Sequence, residues 1–64
     1  MTAIRQYREK KGWTQEDVAN RVGVAKTTVS MWETGDRKPD IITLKKLASI
    51  FECTTDDLLA PIEV

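Results

Sequence analysis

The chain has 64 residues, of which 41% are hydrophobic and 31% charged, and ten basic residues balance ten acidic ones. This composition is typical of one small globular domain, and with no histidine and a single cysteine, Cys53, it excludes an internal disulfide, a cysteine zinc cluster and the commonest general base. We therefore expect that the protein is not an enzyme and binds no metal and no cofactor. The sequence contains neither a membrane-spanning apolar run nor a secretory signal, so we expect one cytoplasmic domain over residues 1–64 that does not bind a membrane.

The first predicted helix runs from about Thr2 to Lys11. Ile4 and Tyr7 lie one turn apart on it, and basic residues are frequent in its second half, where cations suit the negative end of a helix. Gly12 suits the left-handed position that follows a helix end.

The second predicted helix begins at the stretch "WTQEDV" and covers Gln15–Val22. Thr14 is placed to cap it, and Asp17 three residues later is placed to complete a capping box. Trp13 and Val18 have the spacing of a hydrophobic staple across the helix start. Gly23 ends the helix.

The third predicted helix runs from about Ala25 to Glu33 and ends before Gly35. Its three consecutive β-branched residues, at positions 27–29, have poor helix propensity. Tertiary packing of Val29 and Trp32 must therefore hold this helix in shape.

Two further helices complete the chain. "KPDIITLKKLASIF" predicts a fourth helix capped by Asp40, and "TTDDLL" begins a short fifth helix with Thr54 as cap and Asp57 in the box position. No segment alternates with period two, so we expect an all-α fold of five helices. The apolar face of the fourth helix is predicted to contain Ile41, Leu44, Leu47, Ala48 and Phe51.

Small and apolar residues between positions 18 and 32 have the layout of a helix-turn-helix. Ala19 lets two helices approach closely, and Gly23 permits a sharp turn between them. Val29, six residues later, packs the second of these helices against the first, which leaves its outer face free for a major groove. The packing positions are Val18, Ala19, Gly23, Val29 and Trp32.

Charge is unevenly distributed along the chain. Residues 1–46 contain all ten basic residues and six acidic ones, whereas residues 47–64 contain four acidic residues and no basic one. This pattern is compatible with a basic face directed at a polyanion and equally with charge scattered for solubility.

Taken in order, five motifs resemble the Cro/repressor-like (xenobiotic-response-element type) helix-turn-helix DNA-binding regulators. They are "REKKGWTQEDVA", "VGV", "VSMWETG", "KPDIITLKKLASIF" and "TTDDLL", and the resemblance covers nearly the whole chain. The resemblance implies a compact five-helix bundle of the lambda-repressor-like type. It also implies that the third helix contacts base edges of double-stranded DNA.

The resemblance assigns base contacts to Lys26, Thr27, Ser30 and Met31. Helical periodicity independently places Thr27, Ser30 and Met31 opposite Val29 and Trp32. Lysine can donate to guanine, threonine and serine suit several bases, and methionine can contact a thymine methyl group.

Other positions match the family's supporting roles. Gln15 matches a phosphate contact, and Arg37 and Lys38 are expected to be further phosphate contacts. Arg8 and Glu33 resemble the family's partly buried ion pair, which orients the third helix.

The chain also departs from its relatives at two positions. Ala25 stands where many relatives have a capping serine or threonine, at a cost of about 1 kcal/mol. Cys53 stands where relatives usually have a small apolar core residue, and we expect it to fill the core.

The sequence therefore predicts a sequence-specific transcription regulator, in particular a repressor, that binds a pseudo-palindromic operator as a homodimer. Leu59, Ile62 and Val64 are the expected dimer contacts, since one small domain has little core left to cover them. A protein-interaction module, such as an antitoxin-like or antirepressor partner, is the alternative. The exposed Ile42 and the tail "LLAPIEV" favour that alternative.

Overall fold

Five α-helices make up the fold in the computed structural model, which describes residues 3–59 and contains no strand within that range. The predicted all-α class is confirmed. No helix in this range is long and apolar enough to cross a membrane. The helices are α1 (Ile4–Lys10), α2 (Gln15–Val22), α3 (Lys26–Thr34), α4 (Ile41–Phe51) and α5 (Thr55–Leu59).

Side-chain caps fix the starts of three helices, as their sequences predict. At α2 the backbone N–H of Asp17 donates to Thr14 Oγ1 over 3.1 Å, and the N–H of Thr14 donates to Asp17 Oδ2 over 2.8 Å. The same reciprocal box joins Thr54 and Asp57 at α5. Asp40 caps α4 by accepting from Thr43 N–H over 2.7 Å. These bonds satisfy N–H groups that a helix start otherwise leaves without partners.

Two helices differ from their predicted limits by one to a few residues. Helix α3 begins and ends one residue later than expected, because Ala25 keeps the extended backbone of a cap while Gly35, at φ 89°, is the first residue outside helical geometry. Helix α1 starts at Ile4 and ends at Lys10, so Lys11 is its C-terminal cap. The predicted start of α1 at residue 2 lies outside the described residues.

Every helix contributes one large, fully buried side chain to a single core. A backbone hydrogen bond from Ala3 N–H to the Leu58 carbonyl, 3.3 Å long, joins the start of α1 to α5. The two ends of the described chain therefore close over the same core. The five side chains are Ile4, Val18, Val29, Leu47 and Leu58.

The prediction that Ile41 belongs to the buried face of α4 is wrong. Ile41 is 66% exposed, whereas Leu44 and Leu47 on the same helix are buried. Side chains of a helix lean toward its N terminus, so the side chain of the first residue extends past the last layer of the core. Ile42, expected to be exposed, is 67% exposed.

Half-buried aromatic rings extend the core at the end of α1. The ring centroids of Tyr7 and Trp13 lie 6.0 and 5.8 Å from that of Phe51. The Arg21 guanidinium carbon lies 4.1 Å from the centre of the Trp13 ring, a cation–π distance. Cys53 is partly buried against the same core, and burial, followed by the charge of Asp57, raises the pKa of its thiol.

Candidate nucleic-acid interface

Helices α2 and α3 are joined by a sharp turn at Gly23. Gly23 has φ 78° and ψ 37°, a left-handed conformation that glycine adopts without a steric penalty. The N–H groups of Gly23 and Val24 both donate to the Ala19 carbonyl, over 2.8 and 3.0 Å. The other predicted packing residues, Val18, Ala19, Val29 and Trp32, are all buried.

Of the predicted base-contacting residues, Thr27, Ser30 and Met31 lie on the side of α3 that faces away from the core, and Lys26 lies at the start of the helix. Lys26 and Thr27 are exposed, whereas Ser30 and Met31 are half-buried, less open than periodicity suggests. This side of α3 thus offers an ammonium, two hydroxyls and a thioether along about two turns. Those groups suit the donors, acceptors and methyl groups of a major groove.

Arg8 and Glu33 form an ion pair between α1 and α3. Arg8 Nε donates to Glu33 Oε2 over 2.7 Å, and Nη2 donates to Oε1 over 3.1 Å. Glu33 is 8% exposed and is the one buried charged residue among residues 3–59. The hydrogen bond to Glu33 is the main cause that raises the pKa of Arg8, so the guanidinium stays charged.

Two contacts that the sequence did not predict connect this ion pair to α2. Arg8 Nη1 donates to the Trp13 carbonyl over 2.8 Å, next to the Thr14 cap. Gln15 Nε2 donates to Glu33 Oε1 over 3.3 Å. Because an amide nitrogen carries two hydrogens, Gln15 keeps a second donor N–H. Amide-to-carboxylate contacts 18 positions apart leave no periodic signal, so pattern analysis could not find this one.

The loop after α3 holds Arg37 and Lys38, both exposed. The Met31 carbonyl accepts from Gly35 N–H over 3.0 Å, from Arg37 N–H over 3.2 Å and from Thr34 Oγ1 over 3.2 Å. Thr34 Oγ1 also lies 3.1 Å from Asp36 Oδ2. These bonds tie the loop to the end of α3, so the two cations keep a defined position relative to the predicted base-contacting face.

Unpaired cations cluster in one part of the chain. Arg5, Arg8 and Lys11 form ion pairs with Glu9, Glu33 and Glu52. Lys10 and Arg21 lie over aromatic rings. Within residues 3–59 the other cations make neither kind of contact, and they are Lys26, Arg37, Lys38, Lys45 and Lys46. Within the described residues, the basic side chains that have neither an ion pair nor an aromatic contact therefore all lie between positions 26 and 46.

A sequence profile of the helix-turn-helix family matches residues 4–58, from the first residue of α1 to the fourth residue of α5. The chain belongs to the Cro/C1-type helix-turn-helix family of DNA-binding transcription regulators. The family predicted from the sequence motifs is confirmed. This family is a class of transcription regulators and not a class of enzymes.

Members of the Cro/C1-type family with solved structures have the same fold. The DNA-binding domain of SinR from Bacillus subtilis superimposes with a TM-score of 0.80 at 32% identity, covering 91% of this chain and 86% of that one. SinR in complex with DNA gives the same TM-score at 33% identity, covering 89% of this chain and 92% of that one.

Curated relatives in the Cro/C1-type family are longer proteins. The transcriptional regulator AnsR of Bacillus subtilis is 38% identical over 56 residues, which are 88% of this chain and 48% of AnsR. The cryptic phage CTXphi transcriptional repressor RstR of Vibrio cholerae is 35% identical over 60 residues, which are 94% of this chain and 54% of RstR. The chain thus spans about half the length of these relatives.

Proposed function

We propose that residues 1–64 form one sequence-specific DNA-binding unit of a transcription regulator, which inserts α3 into the major groove of double-stranded DNA. The observation that carries this proposal is that Lys26, Arg37 and Lys38, which form no ion pair within the described residues, accompany an exposed polar face on α3. Similarity to SinR, which was solved in complex with DNA, supports the same interpretation.

Each part of the interface has a separate role in this proposal. Base edges are contacted by Lys26, Thr27, Ser30 and Met31. Phosphates are held by Gln15, Arg37 and Lys38, which determine register and contribute affinity without sequence information. The Arg8–Glu33 ion pair touches no DNA and fixes the direction of α3.

The regulator acts as a homodimer in this proposal. Two copies related by a two-fold axis place their α3 helices about 34 Å apart, one DNA turn, so the operator is a pseudo-palindrome. The proposed dimer contacts, Leu59, Ile62 and Val64, lie outside the described residues, Leu59 by its side chain. Sedimentation that finds a monomer both free and on a duplex with two half-sites would remove the dimer from the proposal.

Repression is the mode of action we propose. Similarity to the phage repressor RstR supports it, and an operator-bound dimer can exclude other proteins from a promoter by occupancy alone. We propose that the protein works in the cytoplasm, which is consistent with a DNA-binding regulator.

Selection of bound sequences from a random pool of DNA duplexes is the decisive experiment. We expect one pseudo-palindromic sequence to be enriched, and its affinity to fall steeply with salt because phosphate contacts release counterions. Scrambled duplexes should bind far more weakly at the same salt concentration. An unselective pool or binding that salt does not affect would contradict the proposal.

A second candidate function, a protein-interaction module, is favoured by one observation. Ile41 and Ile42 are both about two-thirds exposed, and exposed apolar groups often mark protein contacts. An antitoxin-like or antirepressor partner would use such a surface. A mobility-shift experiment with random and selected duplexes across a salt series separates the two functions, since a pure interaction module shifts no duplex at any salt concentration.

A further inference from the structure

Helix α4 has an outer side on which isoleucines and lysines lie together. Successive residues of a helix turn by about 100°, which places Ile42, Lys45 and Lys46 opposite the buried Leu44 and Phe51. Ile41 extends this surface at the helix start. All four are exposed, and we call Ile41, Ile42, Lys45 and Lys46 the outer face of α4.

No salt bridge offsets the charge of the lysines of this outer face within the described part of the chain. Lys45 and Lys46 form no ion pair with any carboxylate of residues 3–59, although the charge of Lys46 contributes to lowering the pKa of Asp40. An apolar centre beside free ammonium groups is complementary to a segment that combines apolar side chains with carboxylates. A phosphate backbone would pair with the lysines but would leave the isoleucines in water.

The chain itself contains a segment of that chemistry. Residues 59–64, "LAPIEV", combine the apolar residues proposed as dimer contacts with the carboxylate of Glu63 and contain no base. We infer that in the dimer this segment of each copy covers the outer face of α4 of the other copy. The inference rests on the proposed homodimer and identifies the surface that receives the tail.

Such an exchange is reciprocal, which gives it a testable symmetry. A two-fold axis generates two identical contacts, each consisting of one tail and one outer face. Ile42 on the face and Ile62 on the tail are the apolar groups, and Glu63 brings a carboxylate toward the lysines. A substitution in the tail, or one in the outer face, is present in both copies of a homodimer and therefore disrupts both contacts.

Sedimentation of three variants without DNA provides the first test. Ile42→Glu and Ile62→Glu each replace an apolar group of the contact by a charge, and Gln6→Glu adds the same charge to an exposed position of α1. We expect both isoleucine variants to weaken dimerisation roughly tenfold or more and Gln6→Glu to leave it unchanged. Thermal melting should show all three folded, since none of the described positions lies in the core.

Mixing the two isoleucine variants provides the second test. A heterodimer of Ile42→Glu with Ile62→Glu retains one intact contact, because the unaltered tail of the first meets the unaltered face of the second. The mixture should therefore dimerise more strongly than either variant alone. Absence of this recovery, or a full-strength dimer of Ile42→Glu, would overturn the inference, as would a wild-type chain that is monomeric both free and on DNA.

Binding to a duplex with a single half-site separates failure of this inference from failure of the proposed function. One copy suffices to occupy a half-site, so Ile42→Glu should keep the affinity of the wild type there. If the wild type binds no half-site, the proposed DNA-binding function is wrong, whatever the sedimentation shows. If Lys46→Glu weakens half-site binding without altering dimerisation, the outer face contacts DNA instead and the inference is overturned.

Discussion

The Arg8 guanidinium donates two hydrogen bonds, of 2.7 and 3.1 Å, to the carboxylate of Glu33, which lies 25 residues later in the sequence. The third guanidinium nitrogen, Nη1, donates to the Trp13 carbonyl, and Gln15 Nε2 donates to the Glu33 carboxylate. The hydrogen bonds of one guanidinium therefore connect α1, the start of α2 and the last turns of α3. We propose that this charge pair, which lies behind the proposed DNA interface, fixes the direction of α3.

Breaking this pair should destabilise the fold. Arg8→Met and Glu33→Gln should each lower the free energy of unfolding by about 1–3 kcal/mol, because each leaves a shielded polar group without its partner. The double variant should cost less than the sum of the two single variants. Urea midpoints measured at constant m-value provide these energies. Strictly additive losses would contradict the coupling.

The exposed pair of Arg5 and Glu9 is a control for that experiment. It has the same charges in an i,i+4 relation, but the side chains are 60% and 58% exposed and the atoms are 3.6 Å apart. Arg5→Met should therefore change stability by about 0.5 kcal/mol or less. A loss as large as that of Arg8→Met would show that the effect comes from charge on α1 in general.

Local signals made much of this fold predictable. Caps at Thr14, Asp40 and Thr54 and a left-handed glycine after α2 are properties of a few adjacent residues, and each stands where the sequence places it. The ion pair of Arg8 with Glu33 came from family resemblance, since no local rule pairs residues that far apart.

Features that depend on where the core ends were harder to predict. Ile41 has the correct spacing for the buried face of α4, yet it lies beyond the last layer and is exposed. The bonds from Gln15 to Glu33 and from Arg37 N–H to the Met31 carbonyl depend on how α2, α3 and the following loop meet. Hydrophobic periodicity describes one helix at a time and contains no information on contacts between different elements.

Helix α3 should gain stability from a side-chain cap. Ala25 has φ −75° and ψ 150°, the extended geometry of a cap residue, but it offers no side-chain acceptor. Ala25→Ser should raise the free energy of unfolding by about 1 kcal/mol, since its hydroxyl can accept an N–H of the first turn. Thr14→Ala, which removes an existing cap at α2, should lower it by a similar amount. An unchanged urea midpoint for Ala25→Ser would show that the start of α3 already has adequate partners.

Acid should weaken the fold through the capping carboxylates. Hydrogen bonds from the Thr43 backbone hold the pKa of Asp40 below its usual value, and bonds with Thr14 do the same for Asp17. A depressed pKa in the folded state contributes stability above the ordinary aspartate pKa, about 3.9, and loses it as the pH falls through the folded value. Urea midpoints should thus be level from about pH 7 to 5 and fall below about pH 4.

The substitution Asp40→Asn tests whether Asp40 causes the loss of stability in acid. Asn is also a good cap but does not titrate, so Asp40→Asn should lose less stability between about pH 4 and 2 than the wild type. Asp56→Asn, at an exposed carboxyl that caps no helix, is the matched control. Equal acid sensitivity of Asp40→Asn and the wild type would assign the fall to other carboxylates.

Lys26 and Lys38 differ in position in a way that should separate base contact from phosphate contact. Lys26 is the first residue of α3, whereas Lys38 lies in the loop beside Pro39. Both are exposed, and neither forms an ion pair within the described residues. A lysine at the start of a helix in the groove reaches base edges, and a lysine on the flanking loop reaches the backbone.

Alanine at each position should therefore give different binding defects. Lys26→Ala should weaken binding to the selected operator by about 1–3 kcal/mol and relax discrimination at one base pair of each half-site. Lys38→Ala should weaken all sequences about equally and reduce the salt slope by about one unit, because one phosphate contact is lost. Isotherms on operator and scrambled duplexes across a salt series measure both effects. If Lys26→Ala weakens the two duplexes equally, Lys26 holds a phosphate, and base contact falls to Thr27, Ser30 and Met31.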